Sequence, residues 1–268
     1  MPKKIAFCFL IYDQIDSEDL WQEFFSLSDK NKFNIYIHYK LDKPLYFLEQ
    51  YKLTDCVETE YADVSLIHAQ NKLFRYAFEH DSENYKFILL SGSCIPLKRF
   101  QTIYDKLTNT KKGFLNICPS EQCFPNCNSL LESFPRECIG KASQWIILNR
   151  ILIEKIVFIK QETIQSIFQS IYAPEEIYYY TLIKLNHFDN EIETTPNLAE
   201  CATTFTNWEG MNYKYVSKQN FKTYQEVSME EIVHLLYSPC LFGRKFIRNC
   251  KIESADTYLS DFIAPFLQ

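Results

Sequence analysis

The sequence predicts an α/β protein built on a mixed, mostly parallel sheet with helices packed against it. Three observations lead to that class. Apolar runs of strand length, KIAFCFLIY at 4–12 and KFILL at 86–90, are continuous, as in strands covered on both faces. Between them lie segments whose apolar residues recur every three to four positions. No repeat, low-complexity tract or linker interrupts the 268 residues, so a single domain spanning 1–268 is expected.

In order, residues 4–12 read as a buried strand. Ser17 then opens a helix, SEDLWQEFFSLS, with acids in its first turn. FNIYIH (33–38) alternates as a second strand, and CVETE (56–60) as a short third. The clearest helix is VSLIHAQNKLFRYAFEH (64–80), where Leu66, Ala69, Leu73 and Ala77 share a face with Phe74 and Phe78. It feeds the strand at 86–90, which ends in the small polar elbow Ser91-Gly92-Ser93-Cys94. A helix from about Lys98 and a strand GFLNI (113–117) follow. Residues 118–142, with three prolines and four cysteines, read as a surface loop or lid. SQWIILNR (143–150) returns as a strand, helices cover 151–171 and 174–186, and TTFTNW (203–208) is a strand. EEIVHLLY (230–237) is a helix, LFGRKF (241–246) a short strand or turn, and ESADTYLSDFI (253–263) a closing helix.

Composition narrows the function classes. A hydrophobic share of 47% against 23% charged residues is that of a globular chain. The 22 Phe and 18 Tyr suit an aromatic core and rim, or aromatic binding surfaces. With a formal net charge of -6 and only KFIRNCK (245–251) as a dense positive stretch, a nucleic-acid partner is not expected. No stretch approaches the roughly 18 apolar residues of a bilayer span. The opening MPKKIAFCFLIYDQ lacks a small-residue cleavage site, so a soluble cytoplasmic chain without a transmembrane anchor is expected, in a host's cytoplasm if the source is viral.

Ten cysteines without a targeting segment read as free thiols. Only Cys123-x3-Cys127 approaches a zinc knuckle, and no second knuckle accompanies it. The five histidines show no metal spacing, and the common nucleotide and hydrolase fingerprints are missing.

Three stretches carry candidate chemistry. In YAPEEIYYYTL (172–182), Pro174 suits a first helical turn; Glu175 and Glu176 are either acids capping the helix dipole or a general base among aromatic rings. In LFGRKF, alternation turns one of Arg244 and Lys245 inward and the other outward; they are either two solvated cations or include an inward cation that holds a diphosphate. In TNWEG (206–210), Trp208 sits at a strand end, where a ring either packs or stacks on a sugar.

Taken in order, IAFCFLI, IYIHYK, LLSGSCIPL, KASQWIILNR, PEEIYYYTL, TFTNW and LFGRKF resemble the core-2/I-branching N-acetylglucosaminyltransferases and their plant and bacterial relatives. The pieces span roughly residues 4–247, and SCIPL and SQW lean towards the plant-type branch. The resemblance implies a GT-A-like fold, with a Rossmann-like nucleotide half at about 1–120 and an acceptor half at about 121–268. It also implies inverting transfer of a sugar, GlcNAc or xylose, from a UDP-sugar to a hydroxyl of a glycan or glycoprotein. Most GT-A enzymes hold a metal with an Asp-x-Asp pair, which this family lacks, so no metal or other cofactor is expected. Carried over by motif, Glu176 closes the family's Pro-Asp-Glu as the base, and Lys245 holds the diphosphate, assisted by Lys222 or Arg244. Ser91, Gly92, Ser93 and His38 are assigned to the donor, and Trp208, Glu175 and Trp145 to the acceptor. The family's strand often carries an aspartate after the histidine; here Tyr39-Lys40 follow His38.

The elbow acquires a role from this. It has no carboxylate to hold a metal, so it is expected to offer hydroxyls and N–H groups to the donor, with Gly92 allowing close approach. Two other classes compete: a non-catalytic binder of carbohydrate or nucleotide sugar on a decayed transferase fold, and an interaction protein using the cysteine-rich loop at 118–138.

Overall fold

A computed structural model describes residues 3–193, 203–206 and 223–268. Its spine is β1 (Lys4–Ile11), which lies between β2 (Phe33–Tyr39) and β3 (Asn84–Ser91) and runs parallel to both. Beyond β3 the direction reverses. β6 (Ile147–Asn149) is antiparallel to β3 and to β5 (Gly113–Phe114), and β7 (Ile192–Glu193) closes the order β2-β1-β3-β6-β5-β7. The sheet is therefore mixed, with its long central strands parallel.

The period of two along β1 divides the core. Ile5, Phe7 and Phe9 face one layer, with α1 (Glu18–Ser26), α3 (Phe100–Thr108), α7 (Met229–Tyr237) and α8 (Leu259–Leu267). Ala6 and Cys8 face the other, with α2 (Ser65–His80), α4 (Arg150–Leu152, prolonged by a π-helical turn at Ile153–Val157), α5 (Gln161–Phe168) and α6 (Glu175–Leu185). Small residues on β1 on that side let the sixteen-residue α2 pack close. On the first side Phe7 is ringed by Trp21, Phe24, Phe25, Phe33, Phe100 and Phe242, so much of the phenylalanine content is core.

Several elements differ from expectation. Ser17 makes no side-chain cap for α1; instead the Glu18 carboxylate accepts the N–H groups of Tyr46, Phe47 and Leu48 at 3.0, 2.7 and 2.8 Å. Residues 56–60 form no strand, because the Val57 N–H donates to the His38 ring (2.8 Å) rather than to a strand backbone. GFLNI pairs in the sheet only at Gly113–Phe114, and Ile117 bridges to Ala142 instead. SQWIILNR is strand only at Ile147–Asn149, and the last helix begins at Leu259.

Two small sheets complete the fold. β4 (Ile95–Pro96), β10 (Phe242–Arg244) and β8 (Thr204–Thr206) form one, and β9 (Tyr224–Val227) pairs with β11 (Phe246–Ile252) in the other. Along β11, Phe246, Cys250 and Ile252 are buried while Arg248, Asn249 and Lys251 face solvent, so KFIRNCK is an amphipathic strand and not a basic patch.

Candidate active site

The parallel strands β1 and β3 end side by side, Leu10 opposite Ser91, at the sheet edge where α/β folds gather ligands. The two loops that follow are joined: Asp16 N–H donates to the Gly92 carbonyl at 2.7 Å. The elbow then turns into β4, and Phe246 N–H donates to the Ser93 carbonyl at 3.1 Å. Trp21 Nε1–H donates to the Cys94 carbonyl at 2.8 Å. The elbow is thus fixed from three sides, and it carries Arg244-Lys245 beside it.

Within the elbow the side chains bond to one another. Ser91 Oγ lies 3.1 Å from Ser93 Oγ and 3.2 Å from Cys94 Sγ, and the Ser91 N–H donates to Cys94 Sγ. Both serines are buried.

Arg244, the last residue of β10, and Lys245, just beyond it, have different neighbours. The Arg244 guanidinium lies over the Trp145 ring, 4.2 Å from its centroid, and its charge is felt by Cys94 and Glu176. Burial pulls its pKa down from the ordinary arginine value, with Cys94 and Glu176 opposing. Lys245 turns instead towards Asp16. Burial lowers its pKa, Arg244 lowers it further, and Asp16 opposes. Burial raises the Asp16 carboxyl, against the Arg248 backbone N–H, the Gln14 amide and the nearby Lys245 and Arg248 charges. A cavity of about 220 Å³, lined by Asp16, Ser17, Arg248 and Leu259 among others, opens at that side.

Glu176 occupies the first turn of α6. Its Oε2 lies 2.8 Å from the Lys141 ammonium, and its carbonyl accepts the Ala142 N–H at 2.7 Å. KASQW therefore reaches both ends of the site: Lys141 holds Glu176, and Trp145 supports Arg244. Glu175 points elsewhere. It is buried, its Oε2 has no hydrogen-bond partner among the described residues, and burial pushes its pKa up to about 7.

The other candidates are distributed as follows. His38 is fully buried; burial, with Lys72 nearby, lowers its pKa to about 4, so the neutral ring accepts the Val57 N–H through Nε2. Trp145 lies under Arg244 and is itself buried. Trp208 and Lys222 fall outside the described residues. Sequence reasoning quoted KASQW without singling out Lys141, and it missed Asp16; the first opens a quoted motif, and the second follows the first strand's carboxyl end. Beside the site, Cys123 and Cys127 are buried free thiols whose side chains interact, in the neighbourhood of Lys141. Among the described residues no three His, Cys, Asp or Glu side chains gather where a metal ion could bind. Nor is any described helix long and apolar enough to cross a membrane.

A family model for the core-2/I-branching enzymes matches residues 5–235. The chain belongs to the core-2/I-branching enzyme family. The match runs from β1 through α6 and β8 into α7, so it contains the elbow, Lys141, Trp145, Glu175 and Glu176. The chain has a GT-A-like α/β fold. A curated relative, "Glycosyltransferase BC10" of Oryza sativa subsp. japonica, is 24% identical over 161 residues. That alignment takes in 58% of this chain and 40% of the relative, so the match spans less than half of the rice protein's length.

Proposed function

We propose that this core-2/I-branching family member is an inverting glycosyltransferase that moves a sugar, GlcNAc or xylose, from a UDP-sugar to an acceptor hydroxyl without a metal. The nucleotide would occupy the half at about 1–120 and the acceptor the half at about 121–268. Glu176 takes the acceptor's proton as its oxygen bonds to C1 of the donor sugar. The bond from C1 to the diphosphate breaks on the opposite face, and the departing negative charge is met by Lys245 with Arg244 and Lys222.

The observation that carries this reading is the meeting of four separated motifs. The solvent-reached carboxylate of Glu176, held by Lys141 at 2.8 Å, shares a neighbourhood with Arg244 on Trp145, and Arg244-Lys245 lies against the elbow. A half-buried lysine and a half-buried arginine supply positive charge where water screening is weakened. Glu176 suits the base better than Glu175, because its side chain retains 24% exposure whereas residue Glu175 retains 7%.

The test pairs two measurements on the same preparations. Glu176→Gln is expected to abolish transfer in a screen of UDP-, GDP- and dTDP-sugars while UDP binding by calorimetry survives. Lys245→Ala is expected to weaken UDP binding. Near-normal turnover in Glu176→Gln removes the base; strict dependence on Mn²⁺ removes the metal-free mechanism; and failure of every nucleotide sugar to bind the wild type removes the reading itself.

A further inference from the structure

Two tyrosines without an assigned role stand at the rim of this site. Tyr61 is 83% exposed and Tyr172 62% exposed, so both rings are open to solvent. They come from segments 111 positions apart, yet the fold brings them together, and Tyr172 raises the pKa of the Tyr61 hydroxyl. Directly behind them, the Ala173 N–H donates to the Ala62 carbonyl at 3.1 Å. Each tyrosine is followed by an alanine in the left-handed region, Ala62 at φ 55° and Ala173 at φ 51°. Non-glycine residues adopt that region where surrounding contacts hold them there. The next residues after Ala173 are Pro174, Glu175 and Glu176, and the charges of both glutamates reach the Tyr61 hydroxyl.

We infer that Tyr61 and Tyr172 form a stacking platform for a neutral pyranose ring of the acceptor, seated beside Glu175 and Glu176. This rests on the transferase reading for the word acceptor, and on the rings alone for the binding. A pyranose offers a face of C–H groups to an aromatic ring and a rim of hydroxyls to polar groups. Two exposed rings held side by side match the first, and the solvent-reached carboxylate of Glu176 accepts from the second. The Glu176 carboxylate at this edge disfavours acidic sugars, which restricts the occupant to a neutral ring.

The test uses the full chain and two readouts. In transfer assays, Tyr61→Ala and Tyr172→Ala raise the acceptor KM about tenfold each, the size of one stacking contact. The loss falls on acceptor KM rather than on the KM for the UDP-sugar. Tyr61→Phe retains most of the affinity, because the ring persists. Tyr237→Ala, at an equally exposed tyrosine on α7, serves as the control and leaves both KM values unchanged. An unchanged acceptor KM in both alanine variants overturns the platform and leaves the transferase reading standing.

Saturation-transfer NMR with the methyl glycosides of GlcNAc, galactose, xylose and glucuronic acid requires no turnover. Saturation passing to a neutral glycoside in the wild type, and lost in folded Tyr61→Ala and Tyr172→Ala, supports the platform even if no nucleotide sugar is used. No saturation of any neutral glycoside, transfer that survives both substitutions, or preference for the glucuronide overturns it.

Discussion

The Lys141 ammonium lies 2.8 Å from Oε2 of Glu176, and the adjoining backbone repeats the join through Ala142 N–H and the Glu176 carbonyl. Burial works against the Lys141 charge, but the Glu176 charge and hydrogen bond outweigh it, so the lysine pKa stands above its usual value. The pair's contribution to stability is therefore present at neutral pH and is lost as pH rises through that elevated value. Both side chains keep about a quarter of their surface in solvent (28% and 24%), which limits the contribution to under about 1 kcal/mol. The larger effect is on orientation. Lys141→Met is expected to lower kcat by about ten- to a hundredfold, as small misplacements of reacting groups do, with little change in the urea midpoint. A kcat equal to wild type would mean that Glu176 is held by its helix alone.

Glu175 and Glu176 are neighbours with opposite environments, the first buried and the second reached by solvent. Glu175 has a folded pKa of about 7 against an ordinary 4.5, because burial disfavours its charge. A raised acid is most compatible with the fold below its ordinary value, and that stability is lost as pH rises through about 7. At about 1.4 kcal/mol per pH unit, the ionised carboxylate costs the fold about 3 kcal/mol at pH 8. Glu175→Gln is thus expected to be more stable than wild type at pH 8, with the gain fading by pH 5. Thermal melts across that range check it, and a pH-independent difference would count against a buried ionisable Glu175.

The central fold is legible in the sequence because its signals are local and strong. β1 and β3 are apolar runs without a break, and α2 repeats its apolar face over sixteen residues. The C-terminal strands are not legible: in β11, exposed Arg248 and Lys251 alternate with buried Cys250 and Ile252, so charge hides the strand. For the candidate site, motifs name Glu176 and Arg244, but residue type does not say what lies against each. Trp145, read as an acceptor contact, lies beneath Arg244. The elbow serines, read as donor contacts, bond to each other and to Cys94. Tyr172 opens the quoted stretch YAPEEIYYYTL, but its approach to Tyr61 comes only from tertiary structure, which the sequence does not show.

The Arg244–Trp145 stack gives a third prediction. A desolvated guanidinium over an indole is worth about 2 kcal/mol, and an ammonium does not reproduce the planar contact. Arg244→Lys is therefore expected to weaken UDP binding by about tenfold despite keeping the charge. Trp145→Leu should weaken it similarly by letting the guanidinium shift. Calorimetry with UDP checks both; full affinity in Trp145→Leu would separate the stack from donor binding.

The elbow glycine gives the last. A Cβ on Gly92 would lie 2.1 Å from the Gln14 carbonyl oxygen and 3.5 Å from Ile11 Cγ2. The first contact is with backbone, so no flexible side chain can yield; the loop after β1 must move as a unit. That loop carries Asp16, whose N–H bonds the Gly92 carbonyl and whose carboxylate neighbours Lys245. Gly92→Ala is therefore expected to cost about 1–3 kcal/mol, as overpacking does, and also to weaken UDP binding. The two losses have one cause, so they should appear together. Stability that falls while UDP affinity holds would show that the elbow braces the sheet edge without shaping the donor site.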